Sequence, residues 1–227
     1  FDHVLSATLG FAAFVVLLAP AAASLLERRA GRAGEVLVLA LGEREFFVLD
    51  GLDPDSCTLG PGALNLVTGV ADAFLDRAPL VALTGQGDLE RMHKESHQYL
   101  DIVQMMQPIT KWNARISDPA IIPEVVRKAF KVAESEKPGA THIELPEDVM
   151  AEPLDAAPLP RMDIARPEPN ARDILRAADM IKSAVNPVVL AGNGVIRVNA
   201  TQALRDFAHA TNIGVSSTFM GKGIIDS

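Results

Sequence analysis

The fold is decided by a short apolar run, Leu80-Val81-Ala82-Leu83-Thr84, which is too short for a typical helix and is bounded by turn-forming residues. Three later runs have the same character, and each follows a candidate helix. They are Thr141-His142-Ile143-Glu144-Leu145, Pro187-Val188-Val189-Leu190-Ala191 and Ile213-Gly214-Val215-Ser216-Ser217. This alternation predicts an α/β chain in which helices flank a parallel sheet.

The helices and the prolines predict how this chain is divided. Residues 122–133 place their apolar side chains largely on one helix face, and residues 171–181 have the pattern of a second helix. Between them, prolines at 153, 158, 160, 167 and 169 prevent continuous helix or strand pairing. We therefore expect a first domain over residues 1–150, a proline-rich linker over 151–170, and a second α/β domain over 171–227 that is truncated.

Composition excludes some classes of function. The 227 residues carry a formal charge of −8, which disfavours nucleic acid as a partner. The single cysteine, Cys57, has no intrachain disulfide partner, so a cytoplasmic location is the default expectation. Residues 4–26 contain no charged side chain, yet Gly10 and Pro20 interrupt them and no basic residue precedes them. We favour a buried helix or strand pair there over a membrane span.

The most informative motif is a glycine-rich stretch, Thr58-Leu59-Gly60-Pro61-Gly62-Ala63-Leu64-Asn65. Its glycines predict a sharp bend at which the backbone can approach a ligand, followed by the start of a helix. Alone, Gly-Pro-Gly also fits an ordinary turn. The motif is followed in order by Thr84-Gly85-Gln86, His97-Gln98, Gln107-Pro108-Ile109-Thr110-Lys111-Trp112, Lys137-Pro138-Gly139, Leu145-Pro146-Glu147-Asp148-Val149 and Phe219-Met220-Gly221-Lys222-Gly223.

This ordered series closely resembles the acetolactate synthase branch of the enzymes that depend on thiamine diphosphate. The resemblance begins near Thr58 and continues to the end of the chain. It implies that the first domain binds the pyrimidine end of thiamine diphosphate, that a central domain follows, and that Mg²⁺ and the diphosphate bind a third domain beyond these residues. It also implies cofactor-binding roles for Gly60, Pro61, Gly62, Asn65 and Gln98, and no metal ligands in this chain.

The resemblance fails before Thr58, where the family has a catalytic glutamate in a His-Glu-Gln-Gly-Ala-Ala context. Glu35 lies at a similar distance from the motif, but its neighbours Arg32-Ala33-Gly34 resemble a different family segment, and Glu43 and Glu45 fit no better. The catalytic residue is therefore unassigned, with Glu35 as a candidate. We interpret residues 1–57 as atypical: divergent, rearranged or translated from a shifted frame.

Gln107 bears on a second cofactor. The flavin-binding synthases of this family have arginine before the proline, whereas the flavin-independent catabolic type has Gln-Pro-Ile-Thr-Lys, as this chain does. Loss of that fixed cation removes a partner for a phosphate or flavin oxygen. We therefore expect no FAD and a closest likeness to the catabolic type.

The resemblance implies a carboligase that condenses two pyruvate molecules to 2-acetolactate with release of CO2. It also implies a homodimer or homotetramer acting on a 2-oxo acid. We expect this chain to be a piece of a longer protein and to be inactive by itself. Alternatives are another enzyme of the same scaffold, of the pyruvate oxidase, glyoxylate carboligase or sulfoacetaldehyde acetyltransferase type, and a non-catalytic relative.

Other chemistry-bearing residues have ordinary structural interpretations. His93 and His97 could share a helix face as metal ligands, but no third ligand accompanies them. Gly192-Asn193-Gly194 follows a strand as a dinucleotide loop would, but Arg197 occupies the third glycine position, and a domain-packing turn is favoured. Glu144, Glu147 and Asp148 are expected on a solvated edge, and nothing near Cys57 would activate its thiol.

Overall fold

A computed structural model describes residues 37–40, 46–50, 59–162, 164 and 167–225. The chain divides into two compact units, Phe1–Arg166 and Pro167–Ser227. The division falls within the proline-rich stretch that the sequence marks as a linker.

The first unit is built on a sheet with the strand order β1-β2-β3-β5-β4. Strand β1 pairs with β2 in antiparallel fashion, and every other pairing in this sheet is parallel. The strands are β1 (Leu37–Ala40), β2 (Phe46–Asp50), β3 (Leu80–Gln86), β4 (Trp112–Arg115) and β5 (Ala140–Pro146). The predicted parallel sheet is confirmed, and β3 and β5 cover the two runs assigned as strands.

Helices cover both faces of this sheet. They are α1 (Leu59–Leu64), α2 (Val67–Asp76), α3 (Ile102–Met106), α4 (Ile122–Glu134) and α5 (Glu147–Ala151). Helix α4, whose extent the apolar spacing predicted, buries Ile122, Val126, Ala129 and Ala133 against one face. On the other face, residues of α1, α2 and α3 form a second apolar cluster.

Alternation along the two central strands determines which side chains meet which helices. Val81 and Leu83 of β3, with Ile143 and Leu145 of β5, belong to the cluster that contains α4. Leu80, Ala82 and Ala140 belong to the cluster on the opposite face. The strands are therefore buried on both sides, as strands of parallel sheets usually are.

The second unit contains the predicted helix and both predicted strands. Its elements are α6 (Ala171–Ser183), β6 (Val188–Ala191), α7 (Asn193–Arg197), α8 (Thr201–Thr211) and β7 (Gly214–Ser217). Strands β6 and β7 pair in parallel. The side chain of Asn170 begins α6 by accepting a hydrogen bond from the amide of Arg172 at 2.9 Å.

Strand β4 was not predicted, because Trp112–Arg115 is short and follows a proline-containing turn, Gln107–Ile109. Within the described residues, no helix combines the length and apolar character needed to cross a bilayer. The apolar run at residues 4–26 lies outside the described residues, as do Glu35, Glu43, Glu45 and Cys57.

Candidate functional site at the carboxyl ends of β3 and β5

The Gly-Pro-Gly motif lies inside helix α1, so the predicted sharp bend was wrong. Glycine is required at position 60 for a different reason, the close approach of another chain segment. The Gly60 amide donates a hydrogen bond to the Gln98 carbonyl oxygen at 3.1 Å. A Cβ atom at Gly60 would lie 2.3 Å from that oxygen. The structure thus brings together two sequence positions, 60 and 98, that the resemblance assigns to one cofactor site.

The remaining motif residues divide between the interior and the surface. Gly62 is buried in α1, whereas Pro61 of α1 and Asn65, in the turn that directly follows α1, are exposed. Gln98 is partly exposed and has a left-handed φ of 60°. Such a conformation is uncommon for a residue with a side chain, and it is found most often at turns and functional positions.

The start of α1 lies against the carboxyl end of β3. A Cβ atom on Gly87, the residue after this strand, would be 3.6 Å from the Leu59 side chain. Ligands of parallel α/β sheets bind at the carboxyl ends of strands, where loops meet. The candidate site therefore has the position that this architecture favours.

A row of buried polar side chains lies at these strand ends, on the sheet face that packs against α1, α2 and α3. Its members are Thr84 and Gln86 of β3 with His142 and Glu144 of β5, each at most 1% exposed. Thr84 Oγ1 is 2.8 Å from His142 Nε2. The Gln86 side-chain amide donates through Nε2 to Glu144 Oε1 at 3.1 Å.

Gln86 connects this row to the segment that carries Gln98. Its Nε2 also donates to the Leu100 carbonyl at 2.8 Å, and its Oε1 accepts from the Gly87 amide at 3.0 Å. The orientation of the Gln86 amide is therefore fixed by its partners, since only the oxygen can accept the Gly87 hydrogen.

Arg115 connects Glu144 to the same segment from the other side. The guanidinium Nε of Arg115 donates to Glu144 Oε2, and its other end lies 3.9 Å from Asp101 Oδ1. Asp101 in turn begins α3 by accepting from the Gln104 amide at 3.1 Å. Residues 98–101 are thus held at three points, through Gly60, Gln86 and Arg115.

Burial shifts the pKa of two members of the row. Removal from water lowers the pKa of His142 to about 3, so the ring is neutral at physiological pH. Burial also raises the pKa of Glu144, although the Arg115 guanidinium and the Gln86 amide oppose this change by stabilising the carboxylate. His142 Nδ1 has no hydrogen-bond partner among the described residues. A neutral ring limits the cost of that unpaired nitrogen.

The carboxylates at the end of β5 differ in exposure, and the predicted solvated edge was wrong for Glu144. Glu147 is 45% exposed and lies 3.8 Å from Arg91. Asp148 accepts a hydrogen bond from the Leu89 amide at 3.0 Å. Of these three carboxylates only Glu144 is fully buried, and its hydrogen-bond partners come from β3 and β4.

Three further sequence candidates have structural positions outside this row. The rings of His93 and Tyr99 meet edge to face at 5.9 Å, and the described residues contain no cluster of His, Cys, Asp or Glu that could hold a metal ion. Gln107 is exposed at the start of the turn Gln107–Ile109. Gly192 precedes the five-residue helix α7 in the second unit.

Comparison with known proteins decides the family. Residues 56–105, a range that includes Gly60 and Gln98, match the thiamine pyrophosphate enzyme N-terminal TPP binding domain. Residues 174–227 match the thiamine pyrophosphate enzyme central domain. The chain belongs to the thiamine pyrophosphate enzymes. Thiamine pyrophosphate is another name for thiamine diphosphate, so the predicted family is confirmed.

Relatives within this thiamine pyrophosphate family are similar over most of the chain. A probable acetolactate synthase large subunit from Methanocaldococcus jannaschii is 40% identical over 173 residues, which are 73% of this chain and 29% of the relative. An acetolactate synthase from Mycobacterium leprae is 42% identical over 170 residues, 73% of this chain and 27% of the relative. A glyoxylate carboligase from Escherichia coli O157:H7 is 32% identical over 170 residues, 74% of this chain and 29% of the relative. The chain therefore spans less than a third of their length.

Proposed function

We propose that this chain is part of an acetolactate synthase-like carboligase that condenses two pyruvate molecules to 2-acetolactate and releases CO2. The observation that carries the proposal is the contact between Gly60 and Gln98 at the carboxyl end of β3. The match to a TPP binding domain covers both residues. Relatives named acetolactate synthase at 40% and 42% identity favour this reaction over others of the family.

The residues of the candidate site fit the pyrimidine end of thiamine diphosphate. Asn65 and Gln98 carry amide groups that can both donate and accept hydrogen bonds, as an aminopyrimidine requires. Pro61 on α1 and Asn65 in the turn after it are exposed, so a ligand can reach them, and Gly60 brings the backbone of Gln98 against α1. We assign Gly60 and Gly62 to shaping the site, and Pro61, Asn65 and Gln98 to contacting the cofactor.

The cofactor would supply the electron sink for decarboxylation, while the protein orients it and excludes water. The buried row of Thr84, Gln86, His142 and Glu144 provides a rigid base beneath the site. The side-chain polar atoms of this row are hydrogen-bonded, with the exception of His142 Nδ1. We assign the binding of Mg²⁺ and of the diphosphate group to residues beyond this chain, and the catalytic glutamate remains unassigned.

The remaining parts of the proposal concern the intact protein. We propose a cytoplasmic homodimer or homotetramer that uses a 2-oxo acid substrate and no FAD, because Gln107 supplies no fixed positive charge. We also propose that the first domain ends near residue 150, that residues 151–170 link the domains, and that the central domain begins near residue 171.

An assay of the longest protein encoded by the gene tests the reaction. With thiamine diphosphate and Mg²⁺ present, we expect acetolactate to form from pyruvate. The similarity to a glyoxylate carboligase names the competing substrate, so CO2 release from glyoxylate is measured in parallel. Release of CO2 from glyoxylate but not from pyruvate would favour the glyoxylate carboligase alternative. No turnover of either substrate by a cofactor-loaded protein would favour a non-catalytic role.

A further inference from the structure

The backbone around Gln98 has no regular secondary structure to hold it. Residues 92–101 form turns and bends between the short helix Leu89–Arg91 and α3. The left-handed φ of Gln98 is not a conformation that a residue with a side chain prefers. The position of Gln98 must therefore be determined by contacts from other elements.

In two of these contacts a main-chain carbonyl of residues 98–100 accepts a hydrogen bond. The Gln98 carbonyl accepts from the Gly60 amide, and the Leu100 carbonyl accepts from Gln86 Nε2. The Gly60 amide has no partner within α1, because it belongs to the first turn of that helix. Its protection from solvent therefore depends on where the Gln98 carbonyl lies.

The Gln86 contact depends on Glu144. One Gln86 hydrogen points to Leu100 and the other to Glu144 Oε1, so the carboxylate completes the set of partners that holds the Gln86 side chain in place. Glu144 also accepts from Arg115, which lies beside Asp101 at the other end of the segment. Glu144 thus contacts both Gln86 and Arg115, but only Gln86 continues to residues 98–101 by a hydrogen bond, since Arg115 and Asp101 are 3.9 Å apart.

We propose that Glu144 is a positioning residue that sets the place of Gln98 by fixing the Gln86 amide. This role rests on the proposed function, because it matters to the reaction only if Gln98 contacts the cofactor. Glu144 itself is 0% exposed and does not reach the surface on which Pro61 and Asn65 lie. The chemical requirement at position 144 is for a group that only accepts hydrogen bonds, since both neighbours donate.

Substitution of Glu144 by Gln tests that requirement with almost no change in size. The new side-chain amide has one acceptor and one donor group, so it must point a donor at either Gln86 Nε2 or Arg115 Nε. We expect the Gly60 amide to exchange its hydrogen about tenfold faster in Glu144→Gln, because the contact with Gln98 opens more often. Amide exchange followed by NMR measures this rate, at a pH where the intrinsic exchange rate is known.

The route through Gln86 is tested by a double-mutant cycle. Gln86→Met keeps the length of the side chain and removes its hydrogen bonds, and we expect a similar acceleration at Gly60. If Glu144 acts through Gln86, the double variant Glu144→Gln with Gln86→Met exchanges no faster than Gln86→Met alone. Multiplication of the two effects would overturn the proposal, as would an unchanged rate in Glu144→Gln.

Controls separate positioning from a general loss of stability. Glu124→Gln removes one carboxylate from an exposed ion pair with Arg127 and should leave the Gly60 rate unchanged. Each rate is compared with that of amides in the centre of β3, which exchange only when the whole unit opens. If Glu144→Gln does not fold, Glu144→Asp takes its place in the cycle, since it keeps the charge but shortens the reach.

The exchange measurement contains no cofactor, so it fails or succeeds independently of the proposed function. A negative result removes the positioning role of Glu144 and leaves the assignment of Gln98 intact. Conversely, failure of the intact protein to bind thiamine diphosphate would remove the proposed function and leave the measured coupling between Glu144, Gln86 and Gly60 unaffected.

Discussion

Replacement of His142 by Gln should remove a large part of the acid sensitivity of the first unit. His142 is completely buried beside Thr84, and burial lowers its pKa to about 3 in the folded chain. In the unfolded chain its pKa returns to about 6.5. Between these values the unfolded state binds a proton that the folded state does not, so stability falls as the pH falls through this window.

The magnitude at pH 5 follows from the unfolded pKa alone. That pH lies about 1.5 units below the unfolded pKa, and each unit corresponds to about 1.36 kcal/mol, which gives a loss of about 2 kcal/mol relative to pH 8. The result is insensitive to the folded pKa provided that it lies well below pH 5, as the value of about 3 does.

The only tryptophan of the sequence provides a local assay. Trp112 lies in β4, opposite Thr141 of the strand that carries His142, so its fluorescence reports unfolding of this sheet. Urea titrations at pH 8 and pH 5 give the loss of stability for the native chain and for His142→Gln. We expect the variant to lose about 2 kcal/mol less between the two pH values.

His97→Gln is the matched control, because His97 belongs to the same unit and is exposed. It should lose as much stability as the native chain. The other ionisable groups are common to all three proteins, and their contributions cancel in the comparison. Equal losses in the native chain and His142→Gln would refute the reasoning.

Two further substitutions test the packing of the site and of its supporting sheet. Gly60→Ala should destabilise the first unit by about 1–3 kcal/mol, because the new methyl group meets the Gln98 carbonyl, whereas Gly69→Ala in α2 meets nothing within 4 Å and should stabilise it by about 0.5–1 kcal/mol. Urea titration with Trp112 fluorescence measures both, and equal effects would contradict the close approach at Gly60. Lys111→Met should cost about 1–2 kcal/mol, because Lys111 Nζ donates to the carbonyls of Val132 and Ser135 at the end of α4. Lys94→Met, at an exposed position, should change the urea midpoint little, and a similar loss in both lysine variants would argue against this cap.

The elements with strong local patterns were predictable from the sequence. The apolar runs at β3 and β5 and the helical spacing at α4 gave strands and a helix whose ends differ from the observed ones by at most two residues. Strand β4 has no comparable pattern, because all four of its residues are only half-buried and its pairing partner, β5, lies 25 or more residues further along the chain.

The site was harder to predict for a physical reason. Alternation places His142 and Glu144 on one strand face. Glu144 can be buried because Gln86 and Arg115 donate hydrogen bonds to it. The sequence does not show this, because these donors lie 58 and 29 residues before Glu144. A charged residue without visible partners is normally assigned to the surface, and this is why Glu144 was misplaced. Gly60 indicated a bend for the same reason, since its role in close packing depends on residue 98.

We propose above all that Pro61, Asn65 and Gln98 contact the pyrimidine end of thiamine diphosphate in a site that Gly60 helps to shape. Titration of the intact protein with thiamine diphosphate, at saturating Mg²⁺, tests it most directly by comparing Gln98→Ala with Gln104→Ala, an exposed glutamine six residues away. We predict saturable binding to the native protein, about tenfold weaker binding to Gln98→Ala, and unchanged binding to Gln104→Ala. Absence of binding to the native protein, or equal affinities for all three, would contradict the account.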